Sequence, residues 1–575
     1  MGLPPPCPPV TQRPCRARPL TEVVFYANGL VDMTGDVGIE ADTGHASPPK
    51  IVRREMRDFL RAHEQRRRQL PRSLLVGLFA GLVAVAFRAA LAEADRIRDG
   101  LIAYVHVHEF WAFPLPLVFA AAGGAVAVYL VRRFAPEAAG SGIPHVKAVL
   151  HGLSTMVWQR LLAVKFVGGI AGIGAGLALG REGPTIQMGS AVGQMVSGWF
   201  SCTPRERRTL IAAGAGAGLA AAFNAPLAGL VFVLEEVQRD FSPAVFTATL
   251  IASAVADITT RLLLGQLPVF HVQTEAIPAL SLLPFALFLG VVAGLLGVAF
   301  NRGLLRSLDL FERLRRWPSW MTGGLVGLAV GAVALFEPIA VGGGNRLLER
   351  TLAGELSLIA LGGFFVLRFA LTMLSYGCGA PGGIFAPLLV LGSEIGLGVG
   401  AVAGQFLPEA VSHPHLFAVV GMAAYFTAIV RAPLTGIVLM VEMTGNYSLV
   451  LPLLVACLTA YGVADFLGDR PVYEALLERD LLRTQKVPDL EGTLLLDFTI
   501  APGAPFDGKR VREIGLPPGA IIIMLRRRLR EDVPTADSQL AAGDQISVLI
   551  SPEATAALAL LREGTERKRD VRENP

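Results

Sequence analysis

Between Ser73 and about Gly468 apolar runs follow one another, many near 20 residues long and others short and cut by Gly or Pro. Roughly 30 Å of hydrocarbon takes about 20 helical residues to cross, so the long runs predict spanning helices and the short ones helices that stop partway. A broken helix at membrane depth is tolerated only where it is buried in protein or lines an aqueous path. The breaks, more than the long helices, therefore point to function. From about Arg479 the pattern turns soluble: charges recur every few residues, and Leu494 to Ile500, Ala520 to Met524 and Gln545 to Ile550 read as strands, with a helix over Pro552 to Arg562. Residues 479–492 read as a linker, 493–563 as a small domain and 564–575 as a charged tail. Ahead of the first apolar run, eight arginines between Lys50 and Arg72 crowd a predicted helix over 51–72. By the positive-inside rule this end stays in the cytoplasm, and basic residues on both flanks of the C-terminal domain favour the same compartment. Residues 1–50, rich in Pro and turn formers, lack the apolar core of a signal peptide and read as disordered. The expected class is an all-α polytopic membrane protein over 73–478 with a small C-terminal α+β cytoplasmic domain.

Composition agrees. Of the 575 residues 53% are hydrophobic and only 17% charged, against about 25% charged in soluble domains. Mean hydropathy is +0.52, and 63 glycines suit transmembrane packing. A net charge of +4 is too small to argue for nucleic acid as a partner. Cys7, Cys15, Cys202, Cys378 and Cys457 are scattered, with no metal-type pair and no disulfide framework, so no metal and no cofactor are expected.

Two breaks recur in the same order in each half. Asn224-Ala225-Pro226-Leu227-Ala228-Gly229 resembles Arg431-Ala432-Pro433-Leu434-Thr435-Gly436, and each is followed by an apolar stretch ending in an acid, Glu235 and Glu442. Upstream, Gly180-Arg181-Glu182-Gly183-Pro184 aligns with Gly383-Ile384-Phe385-Ala386-Pro387. Interrupted segments at corresponding positions of two halves point to a transporter's central site, and the pattern fits parallel and inverted repeats alike.

The chemistry follows from the breaks. Gly and Pro at a helix start leave backbone N–H groups free where the helix dipole adds about half a positive charge, and several such ends converging make an anion site. Partial charges hold a transported ion firmly enough to enter and loosely enough to leave, and no Lys or Arg occurs between Arg368 and Arg431. Ser141 and Tyr473 can each donate a hydroxyl hydrogen bond. Glu182 is an acid at a predicted helix start; its carboxylate either pairs with Arg181 or occupies the anion site and leaves when protonated or displaced. Glu235 and Glu236 end an uncharged stretch, and one of them can take protons from the cytoplasmic side or both can be solvated helix-end acids.

At these residues the chain resembles the CLC family of chloride channels and chloride/proton antiporters: Gly140-Ser141-Gly142-Ile143-Pro144, Gly180 to Pro184 and Gly383 to Pro387 look like its three anion-pathway motifs, in order. The resemblance covers about Arg57 to Leu477 and implies two inverted repeats of tilted and broken helices, and a homodimer with one pathway per subunit in the lipid bilayer. It implies Ser141 and Tyr473 as chloride ligands through their hydroxyls, Ile384 and Phe385 through backbone N–H groups, Glu182 as the external gate and Glu236 as the internal proton glutamate. Pro in place of Ser141 accompanies nitrate preference in that family, so Ser141 implies chloride. His145 stands where many relatives carry Glu, which alters the charge near Lys165, itself resembling the family's buried lysine; it reads as a surface or helix-start residue. Gly508 to Pro517 with Gly543 to Ile546 resembles the TrkA-C lobe of potassium-conductance regulators, implying a module that dimerises or senses an unidentified small molecule. About 95 residues are too few for paired CBS modules, favouring a prokaryotic cell membrane.

Chloride/proton exchange is the leading expectation and a passive, voltage- or pH-gated chloride channel the alternative; Glu236 favours exchange because a channel needs no inner proton acceptor. A membrane enzyme using Ser141 as nucleophile lacks an activating His and a His-Glu-x-x-His motif. A potassium channel lacks a Thr-Val-Gly-Tyr-Gly filter.

Overall fold

The computed structural model describes residues 50–107, 112–265, 280–406, 414–484, 494–527, 530–551, 554 and 556–565. The chain forms two units, Met1–Arg61 and Ala62–Pro575. Of the first, residues 50–61 are described and are helical. The expected disordered start, most of the linker and most of the charged tail lie outside the described residues.

Among the described residues seventeen α-helices precede the C-terminal sheet. The first eight are α1 (Lys50–Val107), α2 (Pro114–Phe134), α3 (Ile143–Leu150), α4 (Trp158–Gly174), α5 (Glu182–Gly198), α6 (Pro204–Phe223), α7 (Pro226–Phe232) and α8 (Pro243–Leu264). Eight counterparts follow in order: α9 (Leu283–Arg313), α10 (Ser319–Phe336), α11 (Asn345–Leu352), α12 (Leu358–Gly377), α13 (Phe385–Phe406), α14 (His415–Val430), α15 (Pro433–Thr444) and α16 (Val450–Phe466). Last comes α17 (Val472–Thr484). Among the described residues seven helices are long and apolar enough to cross a membrane. Helices such as α3, α7 and α11, at seven or eight residues, are too short to do so.

Local sequence sets the breaks. Asn224 and Arg431 close α6 and α14 in the left-handed conformation, at φ 54° and 67°. Each is followed by an Ala-Pro pair whose proline opens the next helix, where its missing N–H costs nothing. Packing repeats as well. A methyl group at Gly189 would lie 2.2 Å from the Gly214 carbonyl oxygen, and one at Gly392 would lie 2.6 Å from that of Gly421. Both α5/α6 and α13/α14 thus meet backbone to backbone, the close approach that small residues give helices in lipid.

The halves are related by a local two-fold axis. Gly180 and Gly383 exchange antiparallel hydrogen bonds, each N–H reaching the other's carbonyl at 2.7 Å. Glu235 accepts the N–H groups of Leu434 and Thr435 (3.0 and 2.7 Å) at the start of α15, while Glu442 accepts those of Leu227 and Ala228 (3.0 and 2.7 Å) at the start of α7. Each repeat caps the other's broken helix with a carboxylate at its positive end. Lys165 Nζ bonds the carbonyls of Ala138 and Gly140, and Arg368 Nη1 those of Ala340 and Gly342, so each repeat also buries a cation under its own first break.

Two boundaries differ from the sequence reading. The basic helix expected over 51–72 is not separate, because α1 continues through Pro71 to Val107 and no further proline occurs before Pro114. The expected linker starts later than residue 479, since residues 479–484 belong to α17. Arg479 holds Asp309 and Glu312, and Arg483 holds Glu312, which anchors these turns to the end of α9.

The C-terminal domain is an antiparallel sheet of β1 (Leu494–Thr499), β2 (Ala520–Arg527), β3 (Arg530–Asp532) and β4 (Gln545–Ile550), in the order β1-β4-β2-β3, with α18 (Ala556–Thr565) behind it. Ile522, Leu525, Ile546, Val548 and Ile550 point into a core shared with Phe506, Leu540 and Leu561. β3 is too short and too charged to be legible in the sequence, and the expected helix start at Pro552 lies outside the described residues. Asp544 is buried at the start of β4 and holds Arg527 through two bonds, Nε to Oδ1 at 2.8 Å and Nη2 to Oδ2 at 2.7 Å. Burial alone would raise the Asp544 pKa; the hydrogen bonds from Arg527 and from the Ala541 N–H override it and lower the pKa below its usual value. A carboxylate whose pKa is lowered by folding stabilises the domain above its unfolded pKa, and that stability is lost as pH falls through the folded one. Arg527→Met is expected to destabilise the sheet by about 1–2 kcal/mol, less than a wholly buried pair would because Arg527 is half exposed. Hydrogen exchange of β2 and β4 amides in the full chain checks this: the variant's excess exchange at pH 7 should shrink in acid, and an excess independent of pH would contradict it.

Candidate anion pathway

The three glycine-rich breaks meet at one place. A methyl group at Gly183 would lie 2.9 Å from the Ser141 carbonyl oxygen and 3.0 Å from the Gly383 Cα, so the breaks before α3, α5 and α13 touch through backbone. Gly140 and Gly142 adopt φ 57° and 79°, a turn open to glycine and strained for other residues, and it sets Ser141 at the approach to α3. The Ser141 hydroxyl oxygen accepts the Ile143 N–H at 3.4 Å, which leaves its own proton free to point elsewhere.

Helix α13 begins at Phe385, so the amides of Ile384, Phe385 and Ala386 have no preceding turn of helix to bond. The Phe385 ring is held by Phe426 of its own repeat at 4.5 Å between centroids and by Phe223 and Phe232 of the other at 5.3 and 6.0 Å. Aromatic packing from both repeats thereby fixes where these amides point.

Glu182 opens α5 and crosses to the other repeat: the Ala386 N–H donates to its Oε2 at 3.3 Å, while Arg181 Nε lies 3.9 Å from Oε1. Arg181 is near, yet the hydrogen bond goes to the start of α13.

Tyr473, in the first turn of α17, is wholly buried, and among the described residues its hydroxyl has no hydrogen-bond partner. A buried donor without an acceptor is costly, and an anion would satisfy it. The ring lies within electrostatic reach of both Glu182 and Glu236.

Glu236 and Glu235 part company despite being neighbours. Residues Val233–Val237 form a π-helical turn, a widening that often marks functional positions and that no sequence pattern here announced. The turn sends Glu235 to cap α15 and Glu236 inward, where it is fully buried. Glu236 pairs with Lys147 of α3 at 2.6 Å and with Arg239 at 3.4 Å, and Arg239 also holds Glu474 of α17. The sequence reading missed Lys147; the signal was a lysine in a short, mostly apolar helix. His145 lies in the first turn of α3, half buried, with Nε2 3.3 Å from the Thr155 carbonyl and Nδ1 3.3 Å from the Gln187 amide nitrogen. It is a helix-start residue, as expected, and Lys165 finds its partners in backbone carbonyls.

The breaks that carry Ser141, Glu182, Ile384 and Phe385 thus meet at one locus, and Tyr473 lies within electrostatic reach of Glu182 there and of Glu236. Oriented amides and hydroxyls beside one carboxylate make this a candidate anion site. Over residues 123–465 the chain matches the Voltage gated chloride channel family, and over 495–561 the TrkA-C domain. It is 41% identical over 461 residues to the H(+)/Cl(-) exchange transporter ClcA of Salmonella typhimurium, an alignment covering 77% of this chain and 96% of that one. A slow cyanobacterial Cl-/H+ antiporter has a similar structure, with a TM-score of 0.71 and 38% identity over 73% of this chain and 99% of that one. A eukaryotic CLC transporter, at 23% identity and a TM-score of 0.62 over 72% and 74% of the two chains, shares the fold. The chain belongs to the voltage gated chloride channel family.

Proposed function

We propose that this protein exchanges chloride for protons across a membrane, with Glu182 as a gate that alternates between occupying the anion site and carrying a proton. The protein is a transporter and not an enzyme. The observation that carries the reading is the Glu182 carboxylate bonded to the α13 N-terminus, since an acid that competes with chloride for one seat links the two ions. In this reading chloride binds between the hydroxyls of Ser141 and Tyr473 and the N–H groups of Ile384 and Phe385, while Glu236 passes protons to and from the cytoplasmic side. All six residues lie in one chain, which supports one complete pathway per subunit of a homodimer. The arginines ahead of Ser73 and the basic residues flanking the C-terminal domain support both termini being cytoplasmic, in what is read as a prokaryotic inner membrane. The TrkA-C-type domain is read as a module that dimerises or senses a small molecule.

Liposomes loaded with high chloride and diluted into low chloride test the reading. Outward chloride flow should drive protons inward against their gradient, and proton movement that never exceeds the leak of empty liposomes would refute exchange in favour of a channel. Ser141 makes a separate prediction. Its hydroxyl is one oriented donor, and Ser141→Pro removes it, so nitrate should gain on chloride by about ten-fold, the scale of one hydrogen bond to a charged group. Relative initial fluxes of the two anions measure this, and unchanged selectivity would remove Ser141 from the ligands.

A further inference from the structure

Tyr376, near the end of α12, is a buried phenol that the pathway described above does not use. Its hydroxyl lies behind the Gly140-Ser141 turn: the Ser141 N–H points at its oxygen at 3.5 Å, the same oxygen is within hydrogen-bonding reach of the Ser141 hydroxyl, and a methyl group at Gly140 would lie 2.7 Å from it. It also lies within electrostatic reach of Tyr473. Phenylalanine would fill the ring's place in the core, so packing alone does not call for the hydroxyl. We propose that Tyr376 is a positioning residue that orients the Ser141 hydroxyl toward the transported anion and so tunes both affinity and selectivity.

The argument is an account of protons. A serine hydroxyl has one proton to give and two lone pairs to receive with. The Ser141 oxygen already receives the Ile143 N–H, and the phenol, whose own oxygen receives the Ser141 N–H, has one proton that can go to the serine oxygen's second lone pair. With both lone pairs engaged, the serine proton has only the anion side left. Donation by the phenol also polarises the serine O–H, because hydrogen bonds in a chain strengthen one another in a low-dielectric interior. Without the phenol, the Ser141 hydroxyl is free to rotate away from the anion.

This inference rests on Ser141 being an anion ligand, and the experiment separates the two. Chloride binding is measured by calorimetry on the purified full chain for the wild type, Ser141→Ala, Tyr376→Phe and the double variant, with chloride-to-nitrate flux ratios in liposomes alongside. Tyr376→Phe should weaken chloride binding roughly five-fold, as loss of one neutral hydrogen bond would, and lower the chloride preference. In the Ser141→Ala background it should change neither. Should Ser141→Ala bind chloride as the wild type does, the ligand reading of Ser141 fails and the Tyr376 role with it. Weakened binding in Ser141→Ala with no effect of Tyr376→Phe would overturn the Tyr376 role alone. Additive losses would also overturn it, since Tyr376 would then act on the anion directly. Tyr376→Phe keeps the ring, and an unchanged thermal unfolding midpoint would show that the fold is not the cause.

Discussion

Glu182→Gln should leave chloride moving freely while proton movement falls to the leak of empty liposomes. A neutral amide resembles the protonated carboxyl, so the variant's side chain has no charge to draw it into the start of α13, where the Ala386 N–H now binds the carboxylate. The anion then faces no competitor, and no proton is carried through this position. Loss of a positioned proton carrier is expected to cut proton flux by about a hundred-fold or more. Chloride efflux and proton uptake recorded on the same liposomes decide it, and proton pumping at the wild-type rate would show that Glu182 is a structural acid held by Arg181.

Glu236→Gln should give the opposite division of causes with a similar outcome: anion flux retained, proton flux lost. The side chain lies outside the meeting point of the three breaks, so the anion does not need it, whereas a proton coming from the cytoplasmic side does. The substitution carries a second consequence. Lys147 loses the only negative partner found for it among the described residues, and a buried ammonium without its counter-ion costs about 3 kcal/mol. Thermal unfolding should therefore fall for Glu236→Gln and recover in Lys147→Met/Glu236→Gln, while proton flux stays lost in both. Recovery of proton flux along with stability would mean that Glu236 matters for packing and carries no proton.

Much of this was legible in the chain before its structure. Run lengths near 20 residues marked the spanning helices, and the paired Ala-Pro and Gly-rich breaks pointed to both the repeats and the candidate site, because both are imposed by local backbone chemistry. The two-fold relation of the repeats was not legible from the pattern, since a repeat in sequence carries no direction in space; the reciprocal bonds of Gly180 with Gly383 show it. Nor could spacing separate Glu235 from Glu236, because a regular α-helix gives no reason for the π turn that points them apart. Lys147 and Tyr376 were invisible for a related reason. Their importance lies in partners 89 and 235 residues distant along the chain, which only tertiary packing brings near. The C-terminal strands were found by their alternation, and β3 escaped because three charged residues have none.

The most direct test of coupled exchange is the zero-current potential of the purified protein in a planar bilayer, measured at a fixed chloride gradient while the pH on one side is varied. An exchanger moves a proton against each share of chloride, so its zero-current potential must shift with the pH gradient as well as with chloride. A potential that stays at the chloride equilibrium value for every pH gradient would contradict the account, leaving the same anion site in a passive channel.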